Sequence, residues 1–322
     1  MKSFLLLIFV MVISYSCIET TTSRGTAYIT AEVTADSEEM RETREEVVQN
    51  SLTSREKLQR ERNLEIARNN YTNDPDDLDN IIWYGRRLAY LGKYQEAISI
   101  YTTGLQKHPN SYRLLRHRGH RYITIRRFDD AVNDLQTAAF YVRNEPVEIE
   151  QDGIPNAYNR PLSNNKFNIW YHLGLAYYLT GNYDKAISSY KKCLEFSSNE
   201  DLKVATTNWL YNTYLKIGNI SAAESLANEI SSRMKLIENR AYHDLVMLYR
   251  GFVTPELLIE RNTSGGTLDA TVGYGIGNYY LYNGKIQKAI EIFTRIVESD
   301  QWDSFGYIAA EVELENLNND PL

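Results

Sequence analysis

FNIWYHLGLAYYLTGNYDKAISSYKKCLEFSSN, residues 167–199, sets the pattern that most of the sequence between residues 78 and 303 repeats. The stretch contains two apolar stripes of helical period, and the pair Gly181-Asn182 separates them. Such a pair ends a helix and lets the chain turn back at once. The stretch therefore predicts two antiparallel helices joined by a tight turn.

The two predicted helices have complementary faces. On the first helix, one face carries Trp170, Leu173, Gly174 and Tyr177, which are spaced i, i+3, i+4 and i+7. The second helix carries a matching stripe of Tyr183, Ala186, Tyr190 and Cys193. Because Gly174 has no side chain, the partner helix can approach closely at that position.

This spacing resembles the tetratricopeptide repeat, a helix–turn–helix motif of about 34 residues. The residues that stand at the family's positions are Leu173, Gly174, Tyr177, Gly181, Tyr183, Ala186 and Tyr190. The resemblance implies an all-α fold, a right-handed α-solenoid of stacked repeats. It also implies a non-catalytic scaffold for protein–protein interaction that needs no cofactor.

The repeat pattern predicts an array over residues 78–303. Its repeats lie near residues 78–111, 112–143, 167–200, 204–234 and 270–303, with a degenerate unit at 236–267. The second repeat departs from the family pattern twice, since Arg118 stands where Leu is expected and Arg126 replaces the glycine between the helices. These departures weaken the prediction of its first helix.

An insertion separates repeats 2 and 3. Ala131 and Ala186 are 55 residues apart, which is one repeat plus 21 residues, and the excess falls at residues 144–165. A loop of this length inside a helical array is often functional, as a lid or a contact arm. A tolerated surface insertion is the alternative, because closing a long loop costs little entropy.

The ends of the sequence predict export and capping. Residues 1–16 have the positive start and apolar run of a signal peptide. Cys17 follows directly and resembles the lipidated cysteine of bacterial lipoproteins, which implies a lipid anchor in the cell envelope, at the periplasmic face or cell surface. Ordinary secretion is the alternative. Residues 17–36 are predicted to be a flexible tether, residues 37–77 an N-terminal capping helix and turn, and residues 304–322 a C-terminal cap helix and tail.

Charge is segregated along the chain. The whole chain carries −7, yet residues 82–127 contain ten Lys or Arg against the single Glu96, so this segment is near +9 and the remainder near −16. The segregation predicts a positive patch on the first repeats.

The family resemblance places a partner-binding groove on the first helix of each repeat. The groove positions of this sequence are Arg86, Arg113, Arg116, His120, Tyr171, Tyr178, Asn208 and Asn212. Such a groove suits an extended, acidic protein or peptide segment, because Arg binds carboxylates and Asn reaches backbone amides. Alternatively, the arginines pair with acidic residues of neighbouring repeats.

Two other functions are open alternatives. A glycan or small-molecule binder of a nutrient-uptake system would use Tyr171, Tyr178, Trp209 and the loop 144–165. A hydrolase would use His117, His120 and His172, but these lack the glutamate of an HExxH motif. We therefore predict no catalytic, cofactor or metal site. An acidic exported chain without a recognition module also argues against nucleic acid as a partner.

Overall fold

The computed structural model describes residues 45–319. Most of its helices form successive antiparallel pairs. These residues belong to one structural unit, residues 39–322. The predicted signal peptide (1–16), the predicted tether (17–36) and Cys17 lie outside the described residues.

The fold is an all-α solenoid. In chain order the helices are α1 (Ser54–Asn73), α2 (Leu78–Ala89), α3 (Tyr94–Lys107), α4 (Tyr112–Thr124), α5 (Phe128–Tyr141), α6 (Asn165–Leu179), α7 (Tyr183–Glu195), α8 (Glu200–Lys216), α9 (Ile220–Asn228), α10 (Arg240–Tyr249), α11 (Pro255–Arg261), α12 (Ala270–Tyr282), α13 (Ile286–Val297) and α14 (Phe305–Asn319). A short helical segment at residues 45–50 precedes α1. Strands β1 (Thr263–Ser264) and β2 (Thr267–Leu268) form a small antiparallel hairpin before α12.

The turns inside the helix pairs share one backbone geometry. Gly181 ends α6 in the left-handed region at φ +72°, and the Asn182 N–H donates to the Tyr177 carbonyl at 2.9 Å. In the α4–α5 turn the same conformation occurs at Arg126, with φ +63°. The first helix of repeat 2, whose prediction Arg126 had weakened, is therefore present as α4.

Glycines let large side chains fill the space between paired helices. A Cβ on Gly174 would lie 2.6 Å from the Tyr190 ring, and one on Gly85 would lie 2.3 Å from the ring of Tyr101. Both tyrosines are fully buried. The small-against-large packing expected from the sequence thus holds the pairs α2–α3 and α6–α7 together.

The C-terminal helices fold back onto the first helices of repeats 2 to 4. The Phe305 ring at the start of α14 lies 5.3 Å from the His120 ring and 5.6 Å from the His172 ring, between centroids. Further along α14, Glu313 pairs with Lys216 of α8 at 2.6 Å. The face of the array that was predicted to be an open groove is therefore covered in this region.

Within residues 45–319 no helix combines the length and the apolar character needed to cross a bilayer.

Candidate functional site: a basic cleft closed by the insertion

A cleft remains open between α2, α4 and the insertion. It encloses about 280 Å³. Its lining comes from α2, α4, the start of α6 and the insertion: Asp79, Ile82, Trp83, Arg86, Tyr112, Arg113, Arg116, His117, Glu148, Ile149, Glu150, Gln151, Asn165 and Ile169. Three of the eight predicted groove residues, Arg86, Arg113 and Arg116, meet here.

Helix α2 supplies a stacked arginine. The Arg86 guanidinium lies 4.4 Å from the centre of the Trp83 ring, and its Nη2 donates to the Gln151 carbonyl at 2.9 Å. The next residue, Arg87, donates from Nη1 to the Gly153 carbonyl at 2.7 Å. Stacking restricts the rotamers of Arg86 and leaves its in-plane donors directed at acceptors.

Helix α4 supplies a largely buried arginine. Arg116 Nη2 pairs with Glu150 at 2.8 Å, and the two side chains are only 13% and 19% exposed. The other carboxylate oxygen of Glu150 accepts from Asn168 at 2.6 Å. Burial lowers the pKa of Arg116, while the Glu150 carboxylate acts in the opposite direction. The insertion thus supplies the counter-charge that a largely buried arginine requires.

Arg113 lies at the rim of the cleft. Its guanidinium pairs with Asp79 of α2, and the two side chains are 40% and 63% exposed. Exposed ion pairs contribute roughly 0–1 kcal/mol. Arg113 is therefore the arginine of the cleft that exchanges partners most easily.

The remaining predicted groove residues do not line an open surface. Tyr171, Tyr178, Asn208 and Asn212 are buried, and His120 is partly buried between the His172 and Phe305 rings. The expectation of an open groove is wrong at these positions, because α10, α12 and α14 pack over them.

Hydroxyl groups hold this covered region together. The Tyr178 Oη lies 2.5 Å from the Tyr274 Oη, and the Tyr274 hydroxyl also donates to Glu313 at 3.0 Å. Tyr249 donates to the Asn208 side chain at 3.0 Å and accepts from that of Asn212 at 3.2 Å. The polar residues that were expected to reach a ligand instead bind the chain's own C-terminal helices.

The aromatic residues of the glycan site expected from the sequence are also buried. Tyr171, Tyr178 and Trp209 are 7%, 3% and 1% exposed. A sugar needs an exposed ring face for stacking, and these rings pack against Phe305 and Tyr274 instead. The platform proposed from the sequence is not formed.

Three histidines lie at or near the cleft: His117 lines it, and the ring of His120, one turn further along α4, lies 4.3 Å from the His172 ring between centroids. Burial is the main cause that lowers the pKa of His117 and His120 well below its usual range, and that of His172 to about 3; neighbouring arginines lower all three further. His172 Nδ1 lies at the Asn168 carbonyl. Among residues 45–319, no three His, Cys, Asp or Glu side chains are grouped to hold a metal ion.

Sequence reasoning missed Trp83, Tyr112 and the segment 148–151 as cleft residues. A signal for Trp83 was present, since this tryptophan stands two positions later than the repeat pattern expects. The insertion was recognised as a possible contact arm, but nothing in its sequence showed that it contacts α2 and α4.

Comparison with known proteins agrees with this architecture. Residues 167–200 match the family model of the tetratricopeptide repeat. The BBSome complex member BBS4 of Bos taurus is 31% identical over 158 residues, which cover 49% of this chain and 26% of that protein. The chain thus spans about a quarter of the length of this curated relative.

Solved structures give distant similarities. A structure of MamA (AMB-1) aligns with a TM-score of 0.41 and 18% identity, covering 59% of this chain and 94% of that one. YrrB, described as a TPR protein with an unusual peptide-binding site, aligns with a TM-score of 0.42 and 14% identity, covering 77% of this chain and 98% of that one.

The stacked helix pairs define a helical-repeat scaffold of the kind used for protein–protein interaction. Residues 167–200 form a tetratricopeptide repeat, and the structure continues the same helix-pair architecture before and after them.

Proposed function

We propose that this chain is a non-catalytic scaffold of the bacterial cell envelope that binds an extended acidic segment of a partner protein in the basic cleft. One observation carries the proposal. The chain's own acidic segment already lies there, with Glu150 on Arg116 and the Gln151 carbonyl on Arg86. A partner with the same chemistry would find matching donors.

The helix side of the cleft suits carboxylates. Stacked Arg86 and rim-exposed Arg113 each present a planar fork that binds a carboxylate through two parallel hydrogen bonds. Trp83 and Tyr112 add apolar surface for the stem of a glutamate or a neighbouring side chain. The exposed Asp79–Arg113 pair opens at a cost of roughly 0–1 kcal/mol, so that a partner carboxylate can replace Asp79.

The rest of the predicted groove supports this location by exclusion. His120 and the four buried residues beyond it are covered by the C-terminal helices, so that, within residues 45–319, the cleft is the part of the predicted groove that stays accessible. The proposed partner therefore binds at repeats 1 and 2 and not along the whole array.

The envelope location rests on the sequence. A lipid on Cys17 would attach the chain to a membrane, and residues 17–36 would separate the array from that membrane. One acyl chain binds a membrane only marginally, so stable anchoring needs several chains on the processed cysteine.

Fluorescence anisotropy with a labelled decapeptide of alternating Val and Glu tests the binding proposal. We expect Arg86→Glu/Arg113→Glu to weaken binding at least about tenfold, because each charge-assisted hydrogen bond contributes roughly 1.5–3 kcal/mol. Added salt should also weaken binding. The matched control is Arg127→Glu. Arg127 is exposed, lies outside the cleft lining and pairs with Asp130, three residues further along the chain. Equal binding of a Val–Gln decapeptide, or an unaffected double variant, would contradict the proposal.

A further inference from the structure

The insertion lies in the cleft where the proposed partner would bind. We infer that residues 147–152, VEIEQD, act as an internal copy of the ligand and compete with it, so that a partner with acidic residues at every second position binds by displacing them. This inference rests on the proposed function and adds the spacing of the partner's carboxylates and the control of the site.

Charge balance shows that the site is already occupied. The cleft is lined by three arginines, Arg86, Arg113 and Arg116, and by three carboxylates, of which Glu148 and Glu150 belong to the insertion. With the insertion in place the lining is neutral. With the insertion removed, Asp79 alone opposes three positive charges, and the cleft attracts an acidic chain.

The geometry of the segment is that of an extended ligand. Ile149 forms an antiparallel bridge with Asn164, in which the Glu150 N–H donates to the Ser163 carbonyl at 3.0 Å. In an extended chain alternate side chains share a face. Glu148 and Glu150 both line the cleft, and Glu150 reaches Arg116 at 2.8 Å. The period of two defines the partner's pattern as acidic residues separated by single residues of any kind.

The middle of the insertion is attached by few apolar contacts. Its large apolar side chains are exposed: Val147 54%, Ile149 55%, Ile154 56% and Tyr158 73%. By contrast, Leu162 and Asn164 at its C-terminal end are buried. Because little apolar surface is buried by the middle segment, its release exposes little more. A segment held by polar contacts between fixed ends is the type that opens locally.

The backbone also makes specific contacts that an external peptide would have to replace. The Gln151 and Gly153 carbonyls accept from Arg86 and Arg87 at 2.9 and 2.7 Å. Gly153 lies so close to Tyr90 that a Cβ there would be 1.9 Å from the tyrosine oxygen. A tethered segment competes at an effective concentration of the order of millimolar, so its removal raises the apparent affinity for an external ligand.

A peptide copy of residues 145–153, EPVEIEQDG, tests the inference. Its binding is measured by calorimetry to the full chain and to a variant in which a short Gly-Ser linker replaces residues 146–161. We expect the variant to bind the peptide at least about tenfold more tightly than the full chain, because the internal competitor is gone. Equal affinity for the two proteins would overturn the inference.

A full-length variant keeps the test independent of how the shortened chain folds. Glu148→Gln/Glu150→Gln should also bind the peptide more tightly than the unchanged chain, and Glu145→Gln, in the same loop but outside the cleft lining, should not. If the full chain and the variants bind the peptide equally, the competition is wrong while the proposed function stands. If none of them binds this peptide or the Val–Glu decapeptide, the proposed function fails and the inference fails with it.

Discussion

Arg126 and Glu311 are 185 residues apart in the sequence, yet the Arg126 Nη2 lies 2.7 Å from the Glu311 carboxylate. The same guanidinium lies 3.9 Å from the centre of the Trp302 ring and donates to the Trp302 carbonyl at 2.9 Å. Arg126 occupies the turn position that other repeats fill with glycine, at φ +63°. The side chain thus joins repeat 2 to the C-terminal region at a position where it also strains the backbone.

Arg126→Ala should destabilise the chain more than Arg126→Gly. Both variants lose the contacts with Glu311 and Trp302, but glycine relieves the left-handed backbone, which costs other residues about 1–2 kcal/mol. Urea unfolding followed by circular dichroism measures the difference. Arg127→Ala, at the neighbouring exposed arginine, is the control and should change stability little. If the alanine and glycine variants unfold at the same urea concentration, backbone strain at residue 126 does not contribute to the loss of stability.

Glu313→Ala should destabilise the chain by about 3–5 kcal/mol, because Lys216 would remain buried without a counter-charge. The two side chains are 11% and 4% exposed, and the Tyr274 hydroxyl also donates to Glu313. A double variant, Lys216→Met/Glu313→Leu, should lose much less than the sum of the single losses. The same unfolding assay measures Glu313→Ala, the single variants Lys216→Met and Glu313→Leu, and the double variant. Additive losses in the double variant would show that the pair is not coupled.

Stability should fall as the pH falls below about 6.5, the ordinary pKa of histidine in an unfolded chain. The folded chain keeps His117, His120 and His172 neutral, since burial and nearby arginines lower their pKa values, for His172 to about 3. Below pH 6.5 the unfolded state therefore binds protons that the folded state does not, and each histidine removes about 1.4 kcal/mol per pH unit.

The variant His172→Gln measures how much of this pH dependence of stability comes from His172. Between pH 6.5 and 5, where most carboxylates stay ionised, the variant should show a slope of stability against pH that is smaller by about one proton. The charged and titratable groups near His172 are Arg116, Arg121 and His120, and its Nδ1 lies at the Asn168 carbonyl. His108→Gln, at the end of α3, serves as the comparison. An unchanged slope for His172→Gln would show that this histidine titrates alike in both states.

Cys17→Ser should release the chain from the membrane fraction if Cys17 carries the lipid. The expected result is a wild-type chain in the detergent phase of a Triton X-114 partition and a serine variant in the aqueous phase. Intact mass spectrometry gives the mass of any attached acyl chains. If the wild-type chain partitions into the aqueous phase and has its unmodified mature mass, the lipid-anchoring hypothesis is wrong and ordinary secretion is the better account.

The sequence predicted the all-α solenoid fold because its helix pairs depend on local patterns. Gly181 and the facing pair Gly174 and Tyr190 act within 35 residues of one another, so periodicity and turn chemistry determine them. The two departures of repeat 2 from the family pattern, Arg118 and Arg126, also have structural roles. Arg118, where Leu was expected, forms two hydrogen bonds of 2.7 and 2.8 Å with Asp134 on the paired helix.

The candidate site was harder to predict because it depends on contacts between distant segments. Tyr178 has the position of a groove residue, and only the return of α12 places Tyr274 against it. Likewise, the sequence marks Arg116 as basic but does not show that Glu150 will neutralise it. Repeat periodicity identifies the face of each helix, whereas the fold of the C-terminal region decides which part of that face stays open.

NMR of the four tryptophan indole groups tests the location of binding most directly. The chain, labelled with ¹⁵N, is titrated with the Val–Glu decapeptide. Trp83 lines the cleft and Trp209 is buried beneath the C-terminal helices. We predict that the Trp83 indole resonance shifts as peptide is added while that of Trp209 stays in place. A shift at Trp209 or Trp302 without one at Trp83, or no shift at a saturating peptide concentration, would contradict binding in the cleft.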